Sequence, residues 1–266
     1  MRYFAIISYN GANYCGWQIQ QNSRTIEQMV EYALSTILGE KIDVVGAGRT
    51  DSGVNAIEYI AHFDASDDTK LLHEPGKILY KTNAILPGDI TISAIYPVHN
   101  GAHARFDAIQ RRYYYYVHTV HDPFAEKFSY YCKFPLNMDK MNIAAQYMVG
   151  KRDFSCFEKL HGSQNGSVCE LTHAIWENYT PELSVGERTQ YLRFTVSANR
   201  FLRNMVRAMV GSLLEVGRGK REPEWIQELL EKGTRGDAGQ SVPGNPLFLR
   251  GIEYPYDYRN DNIIKK

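Results

Sequence analysis

Only four of the 266 residues are cysteine, at positions 15, 132, 156 and 169, and no two of them form a C-x-x-C pair. That spacing argues against a zinc site or a dithiol redox motif and leaves four free thiols. Long apolar runs are also missing: nothing approaches the ~18 consecutive apolar residues of a membrane span. The opening "MRYFAIISYNGANYCGW" alternates and then meets Asn and Gly, so it reads as a strand and a turn, not a signal peptide. A cytoplasmic location is the expectation. Net charge is zero, with 30 basic and 30 acidic residues, which by itself does not advertise a polyanionic partner. Several enzyme signatures are absent: there is no G-x-S-x-G, no H-E-x-x-H and no Cys–His motif. His118 and His121 stand three apart, which on a strand puts them on opposite faces and speaks against a metal pair.

Against these absences, apolar residues make up 44% and charged residues 23%, the proportions of a globular protein with a real core. Charge is unevenly spread. Six basic residues, Arg200, Arg203, Arg207, Arg218, Lys220 and Arg221, face a single acid, Glu215, over 200–221, while acids gather at Asp64, Asp67 and Asp68. A basic stripe in a neutral chain fits a grip on an anion, and equally a solvated helix face. Tyrosine is the outlier, with 19 copies, four of them consecutive from Tyr113 to Tyr116.

Along the chain, "RYFAIISYN" is a strand. "TIEQMVEYALSTILGE" is a helix, with Thr25 and Gln28 as a capping-box pair and Gly39 as its stop. "KIDVVGAG" and "AIEYIAHFD" are strands, the latter with Ile57, Tyr59, Ala61 and Phe63 on one face. Strands follow in "LPGDITISAIYPV" and "ARFDAIQRRYYYYVHTV". The second half repeats this outline loosely: a helix near 139–149, strands at "HAIWENYT" and "QYLRFTVSA", helices at "NRFLRNMVRAMVGSLLEVG" and "EPEWIQELLEKG", and a last strand at "PLFLRGIEY". Residues 161–168 form a polar loop. The pattern predicts an α+β fold, mainly antiparallel, with helices on one face.

Three stretches carry chemistry. In "VVGAGRTDSGVNA", Gly46 and Gly48 fit a dinucleotide-binding loop, but Asp51 occupies the third glycine position, where its carboxylate would face a pyrophosphate. The residues after it have period two, so the segment is strand, loop, strand, and not strand, loop, helix. Asp-Ser-Gly is also a common turn. The alternative is a carboxylate displayed on a rigid loop, with Arg49 close enough to help hold it ionised. In the second stretch, a helix from about 200, Arg200, Arg203 and Arg207 fall in the first two turns, where the helix dipole disfavours cations by about 0.3–1 kcal/mol each. An anionic ligand, a carboxylate partner or simple snorkelling would offset this. In "RRYYYYVHT", Tyr113, Tyr115 and Val117 share one face of a strand. The strand is either buried on both sides or projects one Tyr as a stacking platform, with Arg111 and Arg112 near phosphates.

Taken together and in this order, the stretches resemble a known family. "AGRTDSGVNA" is similar to the active-site motif of TruA-type tRNA pseudouridine synthases, and "ARFDAIQRRYYYYV" and "NRFLRNMVRAMVGSLLEVG" to its second and third motifs. "NGANYCGWQIQ", "NAILPGDI" and "DFSCF" match further stretches. The resemblance implies the pseudouridine synthase fold: two RRM-like (ferredoxin-like) halves, 1–105 and 106–266, forming one catalytic unit on a mixed, mainly antiparallel sheet. It implies an isomerase that converts uridine to pseudouridine in the tRNA anticodon stem-loop, with base flipping and with no cofactor, nucleotide or metal. Carried over by motif, Asp51 is the catalytic aspartate, Tyr113 stacks on the target base, Arg207 pairs with Asp51, Arg49 helps bind RNA or position the flipped base, and Leu247 lines the pocket. A homodimer is implied as well. Whether Asp51 attacks sugar or base, or acts as a base, stays open. Ser52 and Asn55 stand where the family commonly has Ala and His, and Pro246 where a Gly is usual. The competing reading is a non-catalytic RNA-binding protein of two RRM-like halves, which would have no use for Asp51.

Overall fold

The computed structural model describes every residue except 67–68, 160–165, 260–263 and 266. Asp67, Asp68 and most of the expected polar loop at 161–168 therefore lie outside the described residues. Among the described residues, no helix is long and apolar enough to cross a membrane. The chain divides into two compact units, Met1–Ile109 with Leu249–Lys266, and Gln110–Phe248.

Unit 1 runs β1 (Arg2–Tyr9), α1 (Ile26–Leu38), β2 (Val44–Gly46), β3 (Asn55–Asp64), α2 (Lys70–His73), α3 (Pro75–Ile85) and β4 (Ile90–Val98). β1 lies between β3 and β4, antiparallel to both, and β2 pairs antiparallel with β3. α1 ends as expected. Gly39 takes φ 77°, a left-handed conformation without steric cost only for glycine, and its N–H returns to Ser35 O. Its start differs from expectation. Thr25 is the N-cap by backbone, but its hydroxyl is buried without a hydrogen bond and Gln28 is exposed, so no capping box forms. β3 also departs from simple alternation: Ile57 is exposed, while Tyr59 to Phe63 are buried on both faces.

Unit 2 runs β5 (Gln110–His118), β6 (Tyr130–Tyr131), α4 (Met138–Gln146), β7 (Gly150–Asp153), β8 (Val168–Asn178), β9 (Tyr191–Ala198), α5 (Met205–Gly217) and α6 (Trp225–Lys232). The order β7-β8-β9-β5 is antiparallel throughout, with the short β6 added parallel to β5. A shared device ties helix to strand in each unit. Asn83 of α3 donates to Ile92 O and accepts from Ile92 N, both at 2.8 Å. Asn142 of α4 does the same for Trp176, at 3.0 and 2.7 Å. A side-chain amide matches one peptide unit, so it can satisfy both backbone groups at once.

The last strands are β10 (Leu247–Glu253) and β11 (Ile264–Lys265), the latter antiparallel to β4. Residues 249–266 belong with unit 1, not with the second half as the 106–266 division implied. The reason is aromatic. Tyr254 and Tyr258 pack on the fully buried Phe4 at ring distances of 5.3 and 5.5 Å, Tyr258 also meets Tyr96, and Tyr256 meets His99. Phe4, on β1, needs cover, and the tail supplies it.

Candidate active site

β2 and β3 pair in register Val44↔Phe63 to Gly46↔Ala61, so residues 47–54 are the connection between two antiparallel strands. No helix follows. That removes the context a dinucleotide loop requires and bears out the strand–loop–strand reading. The connection is fastened along its length. Ala47 N–H extends the ladder to Ile60 O, and Val54 N–H closes a turn onto Asp51 O across Gly53, whose φ is 78°. The buried Thr50 shares a hydrogen bond with Tyr9 OH at 3.0 Å, and its carbonyl accepts from Trp17 N. Ser52 Oγ and Gly53 N–H both donate to Tyr14 O. On the other side Tyr59 OH donates to Gly48 O at 2.5 Å. The Tyr59 ring stacks on Trp17 at 4.1 Å, leaving so little room over Gly46 that a Cβ there would lie 2.0 Å from Tyr59 OH. Asp51 is half-buried at the bend of this loop.

Arg49 is exposed, and its Nε donates to Gln18 Oε1 at 3.1 Å. Gln18 Nε2 donates in turn to Glu27 Oε2, which also accepts from Ile19 N, while Glu27 Oε1 accepts from Trp17 Nε1. Burial pushes the Glu27 carboxyl up; the Ile19 and Trp17 hydrogen bonds and the Arg49 charge oppose this. The first-turn residue of α1 that reaches back is thus Glu27, not Gln28. Asn55, at the family's usual His position, is buried and accepts from Gly11 N at 2.9 Å, so it too braces the loop against the Tyr9–Trp17 segment. Sequence reasoning missed Glu27, Gln18, Tyr59 and Tyr9. Of these only Gln18 lies in the "NGANYCGWQIQ" stretch, and the bracing by all four is a set of contacts that spacing cannot show.

Unit 2 gathers a second group. In β5, Tyr115 and Val117 are fully buried, while Tyr113, Tyr114 and Tyr116 are half-exposed. The strand is therefore not buried on both sides. Tyr113 pairs in register with Val196, and its ring meets Phe201 edge-on at 5.2 Å. Tyr114 lies under the Arg193 guanidinium. Tyr115 OH donates to Pro243 O, and burial raises its pKa, with Arg207 acting in the opposite sense.

The helix expected from Arg200 begins only at Met205. Asn204 sits before it at φ 65°, and its side chain donates to Ser241 Oγ at 2.6 Å. Arg200 and Arg203 therefore precede α5, Arg200 donating to Gly166 O, so the argument about cations at the wrong end of a helix applies to Arg207 alone. Arg207 is the third helical residue. Its Nε donates to Val242 O at 2.7 Å, and its own carbonyl accepts from Val242 N. The 242–247 segment is held further by Tyr116 N–H to Pro246 O and Leu247 N–H to Gly244 O; Leu247 itself is buried. Pro246, where a Gly is usual, thus serves through its carbonyl. Unit 2 brings Arg207, Tyr115 and the segment leading to Leu247 together, with Tyr113 two residues along the same strand face.

The sequence model of the tRNA pseudouridine synthase family matches residues 144–255. Relatives named tRNA pseudouridine synthase A align over nearly the whole chain. The Bacteroides thetaiotaomicron protein is 44% identical over 266 residues, covering 99% of this chain and 94% of the relative. The chain belongs to the tRNA pseudouridine synthase A family. The Bacteroides fragilis protein is 43% identical, with 96% and 97% covered, and the Parabacteroides distasonis protein 44%, with 96% of each covered. As a tRNA pseudouridine synthase the chain is an isomerase acting on tRNA uridine. The reaction breaks the bond from base N1 to ribose C1′ and makes one from C5 to C1′. The C5 proton leaves and N1 regains one, so the overall change involves no electron transfer.

Proposed function

We propose that this pseudouridine synthase modifies uridine in the anticodon stem-loop of tRNA, with Asp51 as its catalytic carboxylate and without a cofactor. The observation that carries this reading is the bracing of the 47–54 loop by Tyr9, Tyr14, Trp17 and Tyr59, with Asp51 at its bend. A turn residue of no chemical use would not need support from two tyrosine hydroxyls, of Tyr9 and Tyr59, and from the backbone of Tyr14 and Trp17. Under this reading the target nucleotide leaves its stack, at a cost of about a few kcal/mol, before reaction. Tyr113 stacks on the extruded base, Arg207 is the charge partner of Asp51, Arg49 contacts RNA and Leu247 lines the base pocket. The enzyme works as a homodimer in the cytoplasm, and its two halves contribute to one catalytic unit.

The test is tritium release from tRNA labelled at uridine C5, with wild type and Asp51→Asn in parallel. The substitution is expected to abolish release, a loss of several orders of magnitude, while tRNA affinity and melting temperature stay near wild type. A fold lost along with activity would make Asp51 a structural turn residue. Release retained by the variant would remove the carboxylate from the mechanism.

A further inference from the structure

Phe106 is 75% exposed, more than any other large apolar side chain among the described residues. A lone exposed apolar residue signifies little on its own. The loop that carries Phe106 gives it meaning, because almost every polar group around it is tied. Arg2 Nη1 donates to Ala102 O, and Asp107 Oδ2 accepts from His103 N and from Tyr256 OH, both at 2.7 Å. Ala104 N donates to the buried His62 Nδ1, and Ala104 O accepts from Tyr254 OH. His103 Nδ1 accepts from both Arg105 N and Phe106 N, at 3.1 and 3.2 Å. Such a loop could turn its ring inward only by breaking several of these bonds.

Two neighbours also meet the ring. His103 lies 4.2 Å from it at 35°, and the exposed Arg105 guanidinium lies 5.6 Å from its centroid. An aromatic face flanked by a guanidinium is the combination that holds an unpaired base beside its phosphate. Its rigidity means little ordering entropy remains to be lost on binding.

We propose that Arg105 and Phe106 form an RNA contact outside the catalytic loop, where an unpaired base of the tRNA substrate stacks on Phe106 and Arg105 meets the adjoining phosphate. This inference rests on the reading of the chain as a tRNA-binding enzyme. Neither residue is part of the machinery described above, so the contact sets affinity and placement of the RNA, not the chemical step.

The experiment compares wild type, Phe106→Ala, Phe106→Trp and Arg105→Ala. It reads the Kd for a tRNA transcript over a salt series, turnover at saturating tRNA, melting temperature and solution mass. Phe106→Ala is expected to raise Kd by roughly 5- to 150-fold, the range for losing one base–aromatic stack. Saturated turnover and melting temperature should stay near wild type, and Phe106→Trp should restore affinity. Arg105→Ala should reduce the slope of log affinity against log salt by about one phosphate contact. The proposal is overturned if Phe106→Ala binds within twofold of wild type. It is equally overturned if Trp fails to rescue and both variants melt early, or if only solution mass changes, which would make the patch a protein contact. Wild type that neither binds nor modifies tRNA would take down the tRNA reading along with this one; wild type that does both beside an unaffected Phe106→Ala removes this inference alone.

Discussion

A buried histidine makes unit 1 sensitive to acid. His62 is buried in β3, with Nδ1 accepting from Ala104 N, and burial, then the charges of Arg2 and His103, hold its pKa down to about 4. Between that value and the ordinary ~6.5, the unfolded chain takes up a proton that the folded chain refuses. Stability therefore rises with pH through this window. It is complete above about 6.5 and is lost progressively as pH falls toward about 4. Denaturant titrations at pH 7.5 and 4.5 should differ by roughly 1–3 kcal/mol more in wild type than in His62→Gln. Equal pH dependence in the two proteins would refute the assignment. The sequence showed nothing of this: His62 sits in "AIEYIAHFD", where alternation marks the other side of the strand as the buried one. Asp51 was more legible. Its position 51 in a glycine loop, followed by a period of two, already excluded a dinucleotide site. The braces Glu27, Gln18 and Tyr59 were not legible, because each acts across a gap that only the folded chain closes.

Among the elements, the Asn83 and Asn142 clamps are the clearest repeated feature. Replacing Asn142 with Ala strands the N–H and C=O of Trp176, a residue buried in β8. A cost of about 1–3 kcal/mol is expected, the penalty for unsatisfied backbone groups, with amide protection lost first in α4 and β8. A variant as stable as wild type would show that water replaces the clamp. Most strands were readable from alternation, and α1 from its apolar stripe. Two helices were not recovered as they stand, α3 because it was not read at all and α5 because it was read too long. α3 opens on Pro75-Gly76, which reads as a turn, and buries only Ile78, Leu79 and Thr82, too few to show a stripe. α5 begins five residues late, because Phe201 and Leu202 keep helical spacing with Met205 and Val206 although the chain between them is not helical. Periodicity reports which side chains are apolar; the left-handed turn at Asn204 is a backbone event it cannot detect.

For the molecule as a whole, the tail matters most. Tyr254 and Tyr258 cover Phe4, so ending the chain after Glu253 uncovers an apolar strand of unit 1 while leaving the contacts within unit 2 intact. Losing buried aromatic rings costs about 3–5 kcal/mol. Hydrogen exchange in β1 and β4 should accelerate by two orders of magnitude or more, while β8 and β9 keep their protection. Uniform loss in all four strands, or in none, would contradict this division. The same packing accounts for the difference from the 105/106 division that the resemblance implied: the chain order places 249–266 last, and the tyrosine packing assigns it to unit 1.

That arrangement has a consequence for how the protein is made. Residues 110–248 form a contiguous stretch and can fold as soon as they leave the ribosome, whereas the unit that carries Asp51 waits with Phe4 uncovered until the last tyrosines emerge. At about 5–20 residues per second, the roughly 150 residues between Ile109 and Tyr258 take on the order of ten seconds to synthesise. During that interval the nascent chain carries an apolar strand in need of protection, because the rings that cover it are made so much later.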